Sequence, residues 1–357
     1  MTKNQIMIDK INNRVIKPSL SLLQAMKQMD EQNVKTLFVF ESKSFLGILT
    51  IGDIQRAIIK GIALFDPISE ILDKNKIYAF NTESRDEIAN KMRLLRAEVM
   101  PILDEERDLI DVWFWSDLFN MSELPFRESI DLPVIIMAGG KGTRLKPLTN
   151  VLPKPLIPVG EKTILEMILN QFESIGCKKF FMSVNYKSDM IRFYLDQLEH
   201  KYKIDFFEEN KPLGTIGSVS LLQGKITKPF FVSNCDIIIE QDFRDVYDYH
   251  LQNRNDLTIV TAVKSFNIPY GVVKTGENGL LKGLKEKPES SFLINTGLYI
   301  LNPELIDEIP RDEFFHITDL INKLLLRGAR VGSFPVSENA LRDMGEWPEY
   351  LKMINVL

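Results

Sequence analysis

The stretch that decides the fold of most of this 357-residue chain runs from Val134 to Val159 and reads VIIMAGGKGTRLKPLTNVLPKPLIPV. Its first five residues are a continuous apolar run, which predicts a buried strand of a parallel sheet. The run leads into Gly139, Gly140 and Gly142, and glycines let a backbone adopt positive φ and approach a ligand closely. Successive amides in such a loop can surround a phosphate. The stretch therefore predicts a strand that ends in a phosphate-binding loop.

Two cations accompany the glycines. Arg144 offers a planar fork for phosphate oxygens, and Lys154 offers a compact positive charge. Pro153 and Pro155 predict an extended segment around Lys154. A Walker A loop would require GxxxxGK followed by Ser or Thr, and a dinucleotide fingerprint would require GxGxxG; the stretch contains neither. The combination predicts a site for a polyanion of another kind.

Strand and helix patterns alternate after this stretch. ILEMILNQFESIG precedes KKFFMSV, and SDMIRFYLDQLEH precedes PFFVSNCD. Such alternation predicts an open α/β sheet with helices on both faces. In a sheet of this kind, ligands bind at the edge formed by the carboxyl ends of the strands.

The stretch also resembles the signature of the sugar-1-phosphate nucleotidyltransferase family, AGGxGTRLxPLTxxxPKPLxPV. The resemblance implies a Rossmann-like, GT-A-like mixed sheet over residues 133–357. It also implies transfer of a nucleoside monophosphate from a nucleoside triphosphate to a sugar 1-phosphate. The implied catalytic residues are Arg144, Lys154 and Asp236. The implied nucleotide-binding residues are Ala138, Gly139, Gly140, Gly142, Thr143, Glu209, Gly214 and Gly217.

Later stretches resemble further motifs of the same family. ENKPLGTIGSV resembles its base-recognition segment, in which Gly214 and Gly217 would bring backbone amides to the base. SNCDI resembles its NGD motif, with Cys235 at the position of the usual glycine, and LRDMGEWPEY resembles its closing DIGxPxxY segment. The resemblance implies that Asp236 and Asp343 bind Mg²⁺. The implied sugar-phosphate residues are Gly271, Glu286, Lys287, Asn295 and Thr296.

The first 120 residues contain a weak internal repeat. IKPSLSLLQAMKQMDEQNVKTLFVFE, from Ile16, has a counterpart in AFNTESRDEIANKMRLLRAEVMPILD, from Ala79. Each copy predicts a capped amphipathic helix, a strand, a charged turn, a second strand and a short helix. Two such units can each cover a sheet face of the other.

This β-α-β-β-α repeat resembles a pair of CBS motifs, known as a Bateman module, over residues 1–120. Residues 121–132 are polar and contain proline, which predicts a linker. The resemblance implies a homo-oligomer and a regulatory nucleotide whose ribose contacts Thr50 and Asp53. The second copy keeps an aspartate, Asp117, but lacks the threonine, so we expect at most one such site. Helix capping by the two aspartates is the alternative interpretation.

The order of a CBS pair before a short nucleotidyltransferase domain resembles enzymes of bacterial legionaminic acid biosynthesis, which make GDP-glucosamine from GTP and glucosamine 1-phosphate. We expect this reaction first. Mannose 1-phosphate with GTP, and glucose 1-phosphate with UTP or dTTP, are alternatives. A nucleotide-sensing binding protein that has lost transferase activity is an alternative from a different class.

Composition restricts the partners. The net charge of −5 provides no global attraction to nucleic acid or to anionic lipid. The two cysteines, Cys177 and Cys235, show no metal-ligand spacing, which favours a reducing compartment. Lys and Asp interrupt the apolar residues at the amino terminus, and no apolar run is long enough for a membrane span. We expect a cytoplasmic protein that binds neither nucleic acid nor membrane.

Overall fold

The computed structural model describes residues 10–73, 76–119, 127–198 and 202–356. Two compact units form, Met1–Glu128 and Ser129–Leu357. Of the predicted linker, residues 121–126 lie outside the described residues. The Ile130 N–H donates to the carbonyl oxygen of Ile175 over 2.9 Å, so the end of the predicted linker packs with the second unit.

The first unit contains the β-α-β-β-α arrangement twice, as the repeat predicts. In each copy the first strand is parallel to the second, and the second is antiparallel to the third. The first copy consists of β1 (Val15–Ile16), α1 (Leu22–Glu31), β2 (Thr36–Glu41), β3 (Ser44–Thr50) and α2 (Ile51–Ile59). The second copy consists of β4 (Ala79–Phe80), α3 (Arg85–Leu95), β5 (Val99–Leu103), β6 (Leu109–Phe114) and α4 (Trp115–Leu118).

Local sequence explains where the longer helices of this unit begin. The hydroxyls of Ser21, Thr50 and Ser84 each accept a hydrogen bond from the backbone N–H three residues later. Such caps satisfy amides that have no partner within the helix. The two sheets share one apolar cluster, which contains Phe38 from the first copy and Val112 from the second. Each copy thus covers the other.

The second unit is larger and mixes strands with helices. Its strands are β7 (Val134–Met137), β8 (Pro158–Val159), β9 (Lys162–Thr163), β10 (Lys179–Val184), β11 (Lys203–Glu208), β12 (Phe230–Asn234), β13 (Ile237–Ile239), β14 (Leu257–Asn267), β15 (Val272–Thr275), β16 (Leu281–Lys285), β17 (Glu289–Leu301), β18 (Val331–Val336) and β19 (Leu341–Asp343). Its α-helices are α5 (Leu148–Val151), α6 (Ile164–Ser174), α7 (Ser188–Asp196), α8 (Phe243–Gln252), α9 (Ile317–Leu326) and α10 (Trp347–Val356).

Seven of these strands form a central mixed sheet in the order β11-β10-β7-β12-β17-β14-β18. Strands β11, β10, β7 and β12 run parallel to one another, whereas β17 is antiparallel to both β12 and β14. Strand β7 lies between β10 and β12, and Val134, Ile135 and Ile136 are fully buried. This central place explains the continuous apolar run that precedes the glycine loop.

Helices cover both faces of the sheet. Successive side chains of a strand point to opposite faces, so neighbouring residues of β10 pack against different helices. On one face Phe180 packs against Phe172 of α6. On the other face Phe181 belongs to an apolar cluster with Ile317 and Leu320 of α9. Within the described ranges, none of the helices is long and apolar enough to cross a lipid bilayer.

Candidate active site

The loop after β7 lies at the carboxyl end of the parallel strands. The Ala138 N–H donates to the Ser183 carbonyl oxygen over 2.9 Å, which continues the contact of β7 with β10. Beyond it, the backbone N–H groups of residues 139–142 have no acceptor among the residues that the structure describes. Gly142 has a φ of +61°, and a Cβ atom there would lie 2.9 Å from the Lys154 side chain. The loop therefore presents free donors to an anion, and Gly142 allows its close approach to Lys154.

Three charged side chains from distant parts of the sequence converge on one point. Lys154 Nζ and Asp236 Oδ2 form an ion pair, and both residues are buried. Strand β13 begins directly after Asp236 and pairs with β19, so that Ile237 lies opposite Asp343. A Cβ atom on Gly345 would lie 2.6 Å from Asp236 Oδ2, 2.7 Å from Lys154 Nζ and 2.8 Å from Asp343 Oδ1. The β13–β19 pairing thus brings together two carboxylates that the sequence separates.

The environment of Asp343 differs from that of an exposed carboxylate. Burial raises the pKa of Asp343, and the negative charge of Asp236 acts in the same direction. The Gly345 N–H, 2.8 Å from Asp343 Oδ1, and the cations of Lys154 and Arg144 lower it. A cation placed between the two carboxylates would reduce their repulsion.

This point fits a hard divalent cation. Asp236 and Asp343 offer carboxylate oxygens, which Mg²⁺ prefers, and Gly345 leaves free the space that a side chain would fill. Throughout the described parts of the chain, no group of three or more His, Cys, Asp or Glu side chains could hold a metal ion. The two aspartates would therefore supply only part of the coordination, and water or bound phosphate would complete it.

Cys235 preserves the end of β12. It is 6% exposed, and burial raises the pKa of its thiol to about 12. The thiol is therefore protonated at neutral pH and behaves as a small apolar side chain. Strand β12 continues to Asn234, as expected when a small residue replaces glycine in the motif.

The segment after β19 contacts the glycine loop through residues that sequence reasoning missed. Glu346 Oε1 lies 2.9 Å from Arg144 Nη1, in a pair whose side chains are more than half exposed. Trp347 Nε1 donates to the Lys146 carbonyl oxygen over 3.2 Å. The only signal for these contacts in the sequence is their position directly after the Asp343 segment. Arg144 therefore lies at the exposed side of the site, whereas Lys154 lies inside it.

Glu209 lies beside the glycine loop. Its residue is 9% exposed, and its two carboxylate oxygens accept hydrogen bonds from the Ser183 hydroxyl at 2.5 Å and the Leu213 N–H at 3.2 Å. A Cβ atom on Gly139 would lie 3.4 Å from Glu209 Oε1. The fold therefore brings the predicted base-recognition segment next to the predicted phosphate loop.

Gly214 and Gly217 serve packing in this structure. Gly214 has a φ of +85°, and a Cβ atom there would lie 2.5 Å from the Phe315 carbonyl oxygen. A Cβ atom on Gly217 would lie 2.8 Å from the Glu313 carbonyl oxygen. The Gly217 N–H donates to the Phe315 carbonyl oxygen over 3.2 Å, so this amide is not free to contact a base as we had expected. The two glycines allow the base-recognition segment to lie against the backbone of residues 313–315.

The predicted sugar-phosphate residues lie on β17 and around the β15–β16 hairpin. A Cβ atom on Gly271 would lie 2.9 Å from Glu286 Oε2, so these two residues are neighbours. Lys287 follows at the exposed surface with a φ of +42°. Asn295 Oδ1 accepts from the Gly297 N–H over 3.1 Å. Their assignment to a sugar phosphate rests on the resemblance.

Thr296 differs from this expectation. The residue is 3% exposed, and its hydroxyl donates to the Val260 carbonyl oxygen over 2.7 Å. The hydroxyl therefore stabilises the contact between β17 and β14 and is not presented to a ligand. The next residue, Gly297, has a φ of +90° and lies against the Asn234 amide, so β17 here adjoins the last residue of β12, two positions before Asp236.

The first unit contains a cavity of about 310 Å³. Gly47 and Ile48 of β3, Lys76 and Tyr78 before β4, and Arg107 of the β5–β6 turn are among its lining residues. Both cationic and aromatic side chains therefore border it.

The predicted ribose-binding pair lies beside this cavity and is already engaged. The Asp53 carboxylate accepts from the Thr50 N–H at 2.9 Å and from Lys76 Nζ at 2.6 Å, and Arg56 contacts it as well. Burial acts to raise the pKa of Asp53, but the bonds from Lys76 and Thr50 outweigh it and lower the pKa overall. Asp117 caps α4 in the same way through the Phe114 N–H at 2.9 Å. Helix capping is thus present in both copies, and among the residues that the structure describes a lysine contacts the aspartate of the first copy alone.

The fold and the gathered loop, cations and carboxylates define a nucleotidyltransferase domain. Residues 133–357 match the model of the nucleotidyl transferase family, and the chain belongs to that family. Residues 3–60 match the model of the CBS domain, which covers the first copy of the repeat.

Curated relatives include mannose-1-phosphate guanyltransferases. That of Schizosaccharomyces pombe is 36% identical over 233 residues, 62% of each chain. That of Yarrowia lipolytica is 39% identical over 187 residues, 49% of this chain and 50% of the relative. The chain therefore spans about half to three-fifths of the length of these curated relatives. Among solved structures, HddC from Yersinia pseudotuberculosis complexed with GMP-PN superposes with a TM-score of 0.50 at 27% identity, covering 63% of this chain and 99% of HddC.

Proposed function

We propose that the protein transfers a nucleoside monophosphate, with GTP as donor, to a sugar 1-phosphate and releases pyrophosphate. One observation carries the proposal: Lys154, Asp236 and Asp343 meet at Gly345, beside a loop of free backbone amides. A triphosphate brings the negative charges that such amides and cations bind. The match of residues 133–357 to the family model supports the same reaction.

In the proposed reaction a phosphate oxygen of the sugar 1-phosphate forms a bond to the α-phosphorus of GTP. The bond between that phosphorus and the bridging oxygen breaks, and the electron pair leaves with pyrophosphate. The attacking oxygen is already ionised at neutral pH, so no side chain has to remove a proton. What the protein has to overcome is the repulsion between two anions that must lie in line.

The residues divide this work by position. The amides of residues 139–142 and the exposed guanidinium of Arg144 would hold the triphosphate at the edge of the sheet. Lys154, inside the site, would neutralise charge that develops around the α-phosphate. Asp236 and Asp343 would hold Mg²⁺, which when bound screens phosphate charge and supports departure of pyrophosphate.

Guanine is the base that we propose to bind beside Gly139. Glu209 presents a buried carboxylate there, and a carboxylate only accepts hydrogen bonds. Guanine offers donors on its N1 and N2 edge, as the N2 amino group does in DNA. The named activity of the curated relatives and the GMP-PN bound to HddC support the same base.

The sugar has two candidates. Mannose 1-phosphate is supported by the names of the curated relatives. Glucosamine 1-phosphate, and with it a place in legionaminic acid biosynthesis, is supported by the presence of a CBS unit before the transferase domain. Both share the phosphate chemistry described above and differ at the second carbon of the ring, in the group that it carries and in its configuration.

A panel of substrates tests the proposal. Pyrophosphate release is measured with GTP, UTP, CTP, ATP and dTTP, each with mannose, glucosamine and glucose 1-phosphate. We expect turnover with GTP and one of the first two sugars. Turnover with no pair would indicate a binding protein, and turnover with UTP or dTTP alone would refute the role of Glu209. Glu209→Gln, which exchanges one acceptor for a donor, should lower kcat/KM for GTP by about tenfold.

We further propose that the cavity of the first unit binds a regulatory nucleotide, that this unit supports a homo-oligomer, and that the protein works in the cytoplasm. The cations at the cavity favour a phosphate-bearing ligand. Both cysteines are free and buried, which agrees with a reducing compartment. Calorimetric titration of the full chain with AMP tests the site. Asp53→Asn, which can still cap the helix, should weaken binding, whereas the matched change Asp117→Asn should not; equal effects would refute the site.

A further inference from the structure

We propose that Lys154 is a displaceable counter-ion: without nucleotide its ammonium group neutralises Asp236 in place of the divalent cation, so that the cation binds tightly only together with the nucleotide. The inference rests on the proposed function, because it concerns the same site. It adds that binding of the nucleotide and binding of the cation depend on each other through Lys154.

Geometry is the first argument. Lys154 Nζ and one oxygen from each aspartate lie 2.6 to 2.8 Å from the single point where a Cβ atom of Gly345 would be. The ammonium group therefore pairs with Asp236 at the border of the space between the two carboxylates. A divalent cation held by both carboxylates would have to share that space with it, and the two positive charges would repel each other strongly.

Burial is the second argument. Lys154 is 8% exposed and Asp236 is 7% exposed, so solvent screens their contact poorly. An uncompensated charge in such a place is unfavourable, and Asp236 therefore retains its lysine until another cation replaces it. Equally, Lys154 leaves Asp236 only when another anion receives it.

The nucleotide supplies that anion. A lysine has a flexible four-carbon stem and three donors, so its ammonium can turn from Asp236 to a phosphate without movement of the backbone. A phosphate at the amides of residues 139–142 would lie near the stem of Lys154, because Gly142 lies against that stem. Since binding free energies are reciprocal, the nucleotide raises the affinity for the cation by the factor by which the cation raises the affinity for the nucleotide.

Mn²⁺ is the probe for the test, because its free concentration is read directly by electron paramagnetic resonance. The full-length protein is titrated with Mn²⁺ without nucleotide, as wild type and as Lys154→Met. We expect the variant to bind Mn²⁺ at least about tenfold more tightly, because the competing charge is gone. Lys146→Met removes a charge from an exposed side chain of the same loop and should leave the affinity unchanged. An unchanged Kd in folded Lys154→Met would overturn the inference.

Two further measurements keep the result interpretable. Thermal unfolding should show a larger stabilisation by Mn²⁺ in Lys154→Met than in wild type, and Lys154→Gln serves as the second variant if methionine prevents folding. Adding Asp236→Asn to Lys154→Met should abolish the gained affinity; a retained gain would place the cation elsewhere and refute the inference. Pyrophosphate release by the same wild-type preparation separates the hypotheses, because an active enzyme with an unchanged Kd in the variant refutes the counter-ion role alone.

Discussion

Replacing Gly345 by alanine is the sharpest test of the site, because the new methyl group would fill the point where three charged groups meet. Gly345 has no left-handed φ, so its backbone accepts alanine and the fold should persist. Asp236 Oδ2 would have to move from 2.6 Å to at least 3.4 Å, the ordinary limit for such contacts, a displacement of about 0.8 Å. Because a misplacement of about 1 Å can cost roughly 100-fold in rate, we expect kcat/KM to fall by about 100-fold, or ~2.7 kcal/mol.

The assay is pyrophosphate release with GTP and the preferred sugar 1-phosphate, alongside thermal unfolding to confirm the fold. Gly283→Ala on β16 is the matched control, since a Cβ atom there meets nothing within 4 Å. We expect the control to retain the wild-type rate. A Gly345→Ala enzyme with the wild-type kcat/KM would show that Asp236 and Asp343 do not act together.

Three further predictions concern the proposed catalytic residues, the first unit and pH. Arg144→Ala and Asp236→Asn should each reduce pyrophosphate release to background while circular dichroism stays unchanged; a near-normal rate would remove that residue from the mechanism. Deleting residues 1–120 should leave measurable turnover, because the second unit has its own core, and a folded but inactive truncation would contradict this. Burial lowers the pKa of His250, against the opposing hydrogen bond to Asn302. Below about pH 6.5 the His250 imidazole of the unfolded chain therefore binds a proton more readily than that of the folded protein. The melting temperature should fall as the pH is lowered from about 7.5 to 5.5, and this fall should be smaller in His250→Gln.

The two cations of the candidate site are each in an ion pair with a carboxylate. Lys154 contacts Asp236, and Arg144 contacts Glu346, so both predicted phosphate-binding side chains already have a carboxylate partner. The two pairs differ in strength, because the first is buried and the second is more than half exposed. A triphosphate would therefore displace Glu346 easily, whereas Lys154 would require a cation in exchange.

Much of the domain could be predicted from local sequence. The apolar run before the glycines predicts a buried strand of a parallel sheet, and β7 is buried between two parallel neighbours. The repeat in the first unit predicts two copies of one arrangement, and both are present. These features depend on the period of apolar residues and on backbone freedom, which neighbours in sequence determine.

Sequence by itself therefore predicted the glycine loop, its neighbouring cations and the family of the domain, because these depend on residue types within one short stretch. Tertiary structure alone decided that Lys154 pairs with Asp236 across 82 positions. It also decided that the Gly217 N–H donates to the Phe315 carbonyl oxygen. The same holds for the Thr296 hydroxyl, which donates to the Val260 carbonyl oxygen. Tertiary structure also brought Glu346 to Arg144 across 202 positions. The reason is physical. The hydrogen-bond partner of a buried polar group is set by the strands and loops that pack beside it, and the spacing of residues along the chain does not determine which segments pack together.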